Sequence, residues 1–363
     1  MSREYILVIN PGSTSTKVAL YKGKEKVFNE KIDHPSDELS KYEHIIDQYD
    51  YRLNLIVEWL NKIGVSTDSL RAAVGRGGML RPIPAGTYLV TDVMVKDLKD
   101  CVGGEHASNL GGMLAKGIAD SQGIKSFIVD PVAVDEMNDI ARISGMPEIK
   151  RKSQLHALNI KAVSHRYAHE NNKNLQDINL IVAHLGGGIS VAPIEKGRIV
   201  DVNNANEMGP FSPERTGGLP VGDLVKMCYS GKYTYNEIKA KIKGKGGLVA
   251  YLGTNDAREV QERINNGDER AKLIFMAMAY QIAKEIGAMA TVLRGTVDAI
   301  ILTGGLAYSE MLVDKIRSMT NFIAPIVIYP GEDELDALNE GVLRVLEGEE
   351  KEKIYENEVR SDD

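Results

Sequence analysis

A polar turn near the start of the chain holds the residues best suited to chemistry. It reads N-P-G-S-T-S-T-K from Asn10 to Lys17 and lies between two apolar runs, residues 5–9 and 18–21, which have the composition of buried strands. Glycine permits a tight turn, and the hydroxyl and backbone N–H groups around it can donate to an anion. The pattern predicts a hairpin that binds phosphate oxygens. Its candidate ligand-binding residues are Gly12, Ser13, Ser15 and Lys17.

The second half of the chain repeats this arrangement. An apolar run at 178–185 leads into a glycine turn and then a second strand, and a Lys-Gly turn follows the second strand in both copies. Neither G-x-G-x-x-G nor G-x-x-x-x-G-K-[ST] is present, so these turns join strands and do not open helices. The repeat predicts an internal duplication, with two related halves that grip a nucleotide's phosphates across a cleft. The glycines of the second turn are Gly186, Gly187 and Gly188.

The length and composition of the chain indicate its domain number and exclude some classes of protein. The 363 residues predict two domains, 1–155 and 156–345, with a C-terminal helix near 340–363 that is able to pack back on the first. The net charge of −7 argues against a general nucleic-acid binder. The start of the chain runs directly into a strand, which predicts no signal peptide, and every apolar stretch of membrane-spanning length contains charge.

The remaining elements and the cysteines follow from local pattern. Two cysteines outside any C-x-x-C motif predict free, buried thiols in a reducing cytoplasm. The charged tail after Glu347 is expected to fray. Helical periodicity predicts helices at 36–64, 157–169, 268–294 and 308–318.

Two arginines near glycine pairs are candidates for contact with a transferring phosphoryl group. Arg76 lies among glycines after a short apolar run, and Arg215 lies in the long loop 203–223, before a glycine pair. Two planar guanidinium groups could clamp a phosphoryl group. For Arg76 the alternative is a solvated arginine on a surface turn.

Other candidates stand where a ligand would collect. His106 lies in a glycine-rich loop and acts on a ligand or serves the local structure. Asp130 ends a strand, where ligands gather in open α/β sheets, or it caps a turn. Gly304 and Gly305 would let an adenine or ribose lie flat on the backbone. The carboxylates of 332–334 suit Mg²⁺ or a helix N-terminus.

Together these motifs resemble the acetate/butyrate kinase family of the acetate and sugar kinase–actin superfamily, over nearly the whole chain. The resemblance implies a duplicated ribonuclease H-like (actin-like ATPase) α/β fold with two domains around a nucleotide cleft. Where acetate kinases carry H-R-x-V-H-G-G, this chain has A-V-G-R-G-G, and H-A-L-N-I precedes S-H-R-Y, which resembles the butyrate kinase branch. The matching segments are N-P-G-S-T-S-T-K, R-G-G, V-D-P, S-H-R-Y, H-L-G-G-G-I-S-V, E-R-T-G-G-L-P, L-T-G-G-L-A-Y-S-E and P-G-E-D-E-L.

The family resemblance also implies an activity and roles for residues. It implies reversible transfer from ATP to a short-chain fatty acid, giving ADP and an acyl phosphate, with Mg²⁺, in a homo-oligomer. Arg81, close to Arg76, is the alternative substrate-facing arginine. The implied residues are Asn10, Ser13, Ser15 and His184 for phosphate, Arg76, His106, Asp130, His156 and Arg215 for catalysis, Gly304 and Gly305 for adenosine, and Asp333 or Glu334 for Mg²⁺.

The nucleophile would be a carboxylate, which is ionised at neutral pH and needs no general base. Butyrate is the expected acid, with acetate, propionate and isobutyrate as alternatives. An actin-like nucleotide switch and a sugar kinase are the alternatives of another class.

Overall fold

The computed structural model describes residues 3–359, which form two compact units. The first comprises residues 3–135 and 333–359, and the second comprises residues 136–332. The segment 136–155, placed in the first domain by sequence, lies in the second unit. The reason is local, since Asn138 donates to the Val200 carbonyl at 3.0 Å and Arg151 pairs with Asp201 at 2.8 Å.

The described residues contain short strands and mostly short helices. In chain order the strands are β1 (Tyr5–Pro11), β2 (Ser15–Lys22), β3 (Glu25–Asp33), β4 (Leu70–Arg76), β5 (Thr87–Leu89), β6 (Lys125–Val129), β7 (Asn179–Leu185), β8 (Ile189–Glu195), β9 (Arg198–Ile199), β10 (Ala299–Gly304), β11 (Ile326–Pro330) and β12 (Lys353–Ile354). The helices are α1 (Ser36–Leu39), α2 (Tyr49–Lys62), α3 (Asp92–Lys99), α4 (Asn109–Gln122), α5 (Asp139–Arg142), α6 (Ala157–Glu170), α7 (Val221–Cys228), α8 (Tyr235–Ile242), α9 (Gly247–Leu252), α10 (Ala257–Asn265), α11 (Glu269–Val292), α12 (Glu310–Thr320), α13 (Glu334–Leu346) and α14 (Tyr355–Glu358). Short 3₁₀ turns lie at Ile45–Gln48, Thr67–Ser69, Leu175–Asp177 and Gly305–Tyr308.

The sheet of the first unit has the order β12-β5-β6-β4-β1-β2-β3. Strands β1, β2 and β3 form an antiparallel meander, and β4 and β6 add in parallel beside β1. Leu7 and Ile9 alternate onto the face covered by α2 and α4, while Val129 contacts Gly341 of α13 on the other face. A helix layer on each side explains why these strands are apolar on both faces.

The second unit repeats this plan with the order β11-β10-β7-β8-β9. Its meander is β7, β8 and β9, and β10 and β11 add in parallel beside β7. The order β3-β2-β1-β4-β6 of the first unit therefore matches β9-β8-β7-β10-β11 of the second. The duplication predicted from the two glycine turns is present in the fold.

Helix α11 is the core helix of the second unit. Phe275, Met278, Ile282 and Ile286 are fully buried in it, and the helix predicted over 268–294 is present. By length and composition α11 could also cross a membrane, but apolar core helices of soluble proteins pass the same test. Its packing against β7 and β8 is sufficient to explain the apolar composition.

Three local predictions were wrong. The helix expected over 36–64 is interrupted, because the Asp47 carboxylate accepts a hydrogen bond from the His44 N–H at 3.1 Å and begins a new helical segment. The tail does not fray up to residue 359, since β12 pairs with β5 and Tyr355 is buried. Both cysteines are free as expected, yet Cys228 is exposed and Cys101 half-buried.

Candidate active site

The first glycine turn joins β1 to β2 as predicted. The Gly12 N–H donates to the Ser15 carbonyl at 2.7 Å, which closes the turn, and Ser13 lies exposed at its tip. Asn10 and Lys17 are directly opposed across the hairpin. The turn thus presents polar groups to solvent while the strands on either side of it are buried.

Three residues from distant parts of the chain meet at the edge of the first sheet. Asn10 on β1 donates through Nδ2 to Glu334 Oε2 at 2.6 Å, and Arg76 at the end of β4 forms an ion pair with Glu334 Oε1. Because β1 and β4 are parallel neighbours, their ends lie side by side. Glu334 is the first residue of α13, so the fold brings a carboxylate, an amide and a guanidinium together.

The sequence left two alternatives open, Arg76 or Arg81 and Asp333 or Glu334. In the structure, Arg81 and Asp333 have different partners from Arg76 and Glu334. Arg81 is held by the buried Asp97, with Nε 3.2 Å from Oδ2, so its guanidinium belongs to the α3 surface. Asp333 is largely exposed, and its Oδ1 lies 3.5 Å from Lys26 Nζ. Both side chains thus have other partners than Asn10, Arg76 and Glu334.

His106 and Asp130 occupy different settings in the first unit. The Ser108 N–H donates to His106 Nδ1 at 3.2 Å, which leaves Nε2 of the exposed ring as the protonated nitrogen. Asp130 is buried with a φ of +38°, and its Oδ1 accepts from the Gly86 N–H at 2.7 Å. A non-glycine residue in the left-handed region is strained, and such strain clusters at functional sites.

In the second unit, two predicted histidines stack on each other. The rings of His156 and His184 lie 3.9 Å apart and nearly parallel, at 13°. His184 is fully buried, with Nδ1 2.8 Å from Asn159 Oδ1 and Nε2 3.2 Å from Glu332 Oε1. His156 Nδ1 lies 3.0 Å from the Ser190 hydroxyl. His184 lies directly against the second glycine turn, since a Cβ atom at Gly186 would lie 3.0 Å from its Nε2.

Arg215 lies against the same turn. A Cβ atom at Gly188 would lie 2.2 Å from Arg215 Nη1, so only glycine leaves room for this guanidinium. Nη1 donates to the Ala205 carbonyl at 3.0 Å, and burial lowers the pKa of Arg215. The Ser212 hydroxyl ties the long loop to the turn through the Gly187 carbonyl at 2.5 Å. The loop predicted as functional therefore holds its arginine in place.

A cavity of about 670 Å³ opens beside this turn within the second unit. This volume is that of a site for a small molecule. Gly305 lines it, whereas Gly304 lies behind it with a φ of +86° and a Cβ position only 2.4 Å from the Leu185 carbonyl. Gly304 is thus required by the backbone. The other lining residues include Gly186, Gly187, Asp256, Arg258, Tyr308 and Glu332.

Several of these residues were missed by the sequence analysis. Asp256 and Arg258 pair at 2.7 Å at the cavity, and this pairing lowers the pKa of Asp256 to about 2. The segment T-N-D-A-R, residues 254–258, was given no role in the sequence analysis. The contacts of Asn159 and Glu332 with His184 could not be predicted from sequence, because His184 is 25 and 148 residues away from them in the chain.

A duplicated ribonuclease H-like sheet with a glycine turn in each unit is the architecture of the actin-like ATPase class. The chain resembles the crystal structure of Porphyromonas gingivalis acetate kinase, with a TM-score of 0.75 and 20% identity over 93% of this chain and 99% of that one. It also resembles a propionate kinase from Francisella tularensis, with a TM-score of 0.73 and 18% identity over 94% and 99%. These likenesses confirm the predicted fold class.

Sequence relatives are much closer. A protein of Caldanaerobacter subterraneus subsp. tengcongensis called "Probable butyrate kinase 2" is 61% identical over 96% of this chain and 99% of its own length. "Butyrate kinase 2" of Clostridium acetobutylicum is 54% identical over 96% of this chain and 99% of its own length. The acetokinase family model matches residues 148–322. The chain belongs to the acetokinase family, on the butyrate kinase branch.

Proposed function

We propose that this protein catalyses the reversible phosphorylation of butyrate by ATP, giving butyryl phosphate and ADP. The observation that carries the proposal is identity of more than half of all positions, over nearly the whole chain, to proteins called butyrate kinases. Among the predicted site residues, Asn10 and Arg76 lie at the ends of neighbouring parallel strands, and Gly186, Gly187 and Gly188 form the turn between β7 and β8. This is the setting in which α/β proteins bind nucleotides.

The second unit binds the nucleotide in this proposal. The cavity beside the second glycine turn is large enough for an adenosine group. Gly305 offers a flat surface without a side chain, and the exposed Gly187 at the cavity wall lets a phosphate oxygen approach its backbone closely. Arg215 and the stacked histidines His156 and His184 then lie next to the phosphates.

The first unit supplies the residues for the metal and the transferring group. Glu334 and Asn10 would hold Mg²⁺, since their oxygens are the hard ligands that this ion prefers. Among residues 3–359 no group of three His, Cys, Asp or Glu side chains forms a metal site. That fits Mg²⁺, which commonly uses one or two carboxylates and takes its remaining ligands from water and substrate phosphates. The bound ion would neutralise charge on the phosphates.

The chemistry needs alignment and charge stabilisation. Butyrate is ionised at neutral pH, so its carboxylate oxygen attacks the γ-phosphorus directly, and the bond from that phosphorus to the β,γ-bridging oxygen breaks to release ADP. Arg76, His106, His156 and Arg215 offer donors to the oxygens that gain charge. Asp130 serves as a positioning group, because its buried carboxylate already accepts from the Gly86 N–H.

Assembly and location complete the proposal. The protein acts in the cytoplasm, a reducing compartment in which its two cysteines stay free. It acts there as a homo-oligomer. The small-molecule carboxylate and ATP are its partners, with neither nucleic acid nor membrane involved.

The test is formation of acyl phosphate from MgATP, trapped with hydroxylamine as the hydroxamate, from acetate, propionate, butyrate and isobutyrate in parallel. Turnover highest for butyrate is expected. Turnover highest for another acid would overturn the substrate while keeping the reaction class. No hydroxamate from any acid, with ATP bound, would overturn the proposed function.

A further inference from the structure

Arg52 is a buried arginine directly behind the first glycine turn. It lies on α2 and is 1% exposed. Its Nη1 donates to the Gly12 carbonyl at 2.9 Å and to the Thr16 hydroxyl at 3.1 Å, and its Nη2 to the Ser13 carbonyl at 3.3 Å. Gln48, one helical turn earlier, holds the guanidinium through Oε1 at 2.7 and 3.1 Å. The side chain is therefore fixed against the turn.

This buried charge has no carboxylate partner. Within residues 3–359 no aspartate or glutamate lies at ion-pair distance from the Arg52 guanidinium, and burial lowers its pKa to about 10. It still carries a full positive charge at neutral pH. Burial of a charge is costly unless the charge is paired. A bound anion at the turn would supply the missing negative charge.

The hydrogen bonds fix the direction of every peptide group in the turn. Arg52 donates to the carbonyls of Gly12 and Ser13. The Thr14 carbonyl accepts from the His34 N–H at 2.8 Å, and the Ser15 carbonyl accepts from the Gly12 N–H. In a trans peptide the C=O and the following N–H point in opposite directions. The N–H groups of Ser13 and Thr14 therefore point away from Arg52.

The backbone N–H groups of Ser13 and Thr14 are therefore neighbouring hydrogen-bond donors on the solvent side of the turn. Ser13 and Thr14 are exposed, and in the described chain their N–H groups make no hydrogen bond with protein. Successive N–H groups that point to one side form an anion-binding concavity. The positive charge behind them increases its attraction for phosphate.

We propose that Arg52 is a positioning residue for phosphate binding: it holds the carbonyls of the β1–β2 turn inward, so that the backbone N–H groups of Ser13 and Thr14 face a phosphate of the nucleotide. The inference rests on the proposed function in taking nucleotide phosphate as the ligand. Arg52 itself touches no reacting atom. A residue with a purely structural role would change stability without a selective effect on phosphate.

The test measures binding of two probes by isothermal titration calorimetry. Pyrophosphate reports on the phosphate sites, and adenosine reports on the cavity of the second unit. Arg52→Met is expected to weaken pyrophosphate binding by about 10- to 100-fold, the cost of misplacing groups that contact the ligand, and to leave adenosine binding unchanged. Arg52→Lys keeps the charge but loses the planar fork, so an intermediate loss is expected.

Ile56→Ala is the matched control. Ile56 is fully buried on the same helix, in the cluster that packs on β1, so this change destabilises the same core without removing a contact to the turn. It is expected to lower the melting temperature and to keep the pyrophosphate affinity. Equal losses for Ile56→Ala and Arg52→Met would overturn the inference.

Two further outcomes are decisive. Pyrophosphate binding by Arg52→Met within twofold of wild type would overturn the inference, and if that variant does not fold, the same result for Arg52→Lys would do so. Wild-type protein that binds pyrophosphate in an Arg52-dependent way but forms no acyl phosphate would refute the proposed function and support the positioning role.

Discussion

Gly188→Ala is expected to remove catalysis while the fold survives. The added methyl group would lie 2.2 Å from Arg215 Nη1 and 2.6 Å from its Cζ. Ordinary contact begins near 3.4 Å, so the guanidinium must move by about 1.2 Å, the difference between 3.4 and 2.2 Å. The clash falls on the end of a flexible side chain, and φ at 188 lies outside the left-handed region. Little stability should therefore be lost.

The activity loss follows from that displacement. A shift of about 1 Å in a positioned group costs about 100-fold, and loss of one donor to developing charge costs about 10²–10³ in kcat. The expected decrease in kcat for Gly188→Ala is therefore about 10²–10³-fold. The KM for butyrate should change much less, because Arg215 acts most strongly on the transferring phosphoryl group.

The assay is hydroxamate formation from MgATP and butyrate, with thermal unfolding measured on the same samples. Gly222→Ala is the matched control, since a Cβ at this exposed position of α7 meets no atom within 4 Å. It should keep wild-type activity and gain slightly in stability, as expected for alanine in place of glycine in a helix. A folded Gly188→Ala enzyme within tenfold of wild type would refute the role given to Arg215.

Three more outcomes are expected. Glu334→Gln should raise the Mg²⁺ concentration for half-maximal activity by at least about tenfold, since a ligating carboxylate is lost, while Asp333→Asn stays near wild type; equal effects would contradict the assignment. Because burial, and to a lesser degree the Arg52 charge, lower the pKa of His34 to about 4, the unfolded chain binds this proton first as the pH falls from 6.5 to 4. Folding stability should therefore fall by up to about 3 kcal/mol over that range, and urea unfolding of His34→Gln should show a flatter dependence on pH than wild type; parallel curves would be contrary. Tyr355→Phe removes the 2.8 Å hydrogen bond to the buried Asp97, so thermal unfolding should show a loss of about 1–3 kcal/mol with kcat unchanged; a loss of kcat at full stability would argue against a structural role.

Most of the fold could be predicted from local sequence patterns. Both meanders could be predicted because each is encoded by short apolar runs and a glycine turn within about 30 residues. The parallel strands β4 and β6 were recognised as an apolar run and a strand, but their place in the sheet depends on long crossovers. The C-terminal segment was underestimated, since its anchor Tyr355 packs against residues about 260 positions earlier.

The candidate site was predictable in parts. Arg76, Glu334 and Asn10 each carried a motif signal, yet their mutual contact spans more than 250 residues and cannot be derived from spacing. Arg52 was overlooked because the helix was analysed for its apolar positions. A Gln48–Arg52 pair at i, i+4 on the buried face was the available signal.

The most direct test of the central claim follows one oxygen atom. Butyrate labelled with ¹⁸O in both carboxylate positions is incubated with MgATP and the enzyme, and the butyryl phosphate is examined by ³¹P NMR. Direct attack by the carboxylate predicts a phosphorus signal shifted by one bonded ¹⁸O atom, the bridging oxygen. An unshifted signal would mean that the bridging oxygen came from phosphate, and it would contradict direct phosphoryl transfer to the carboxylate.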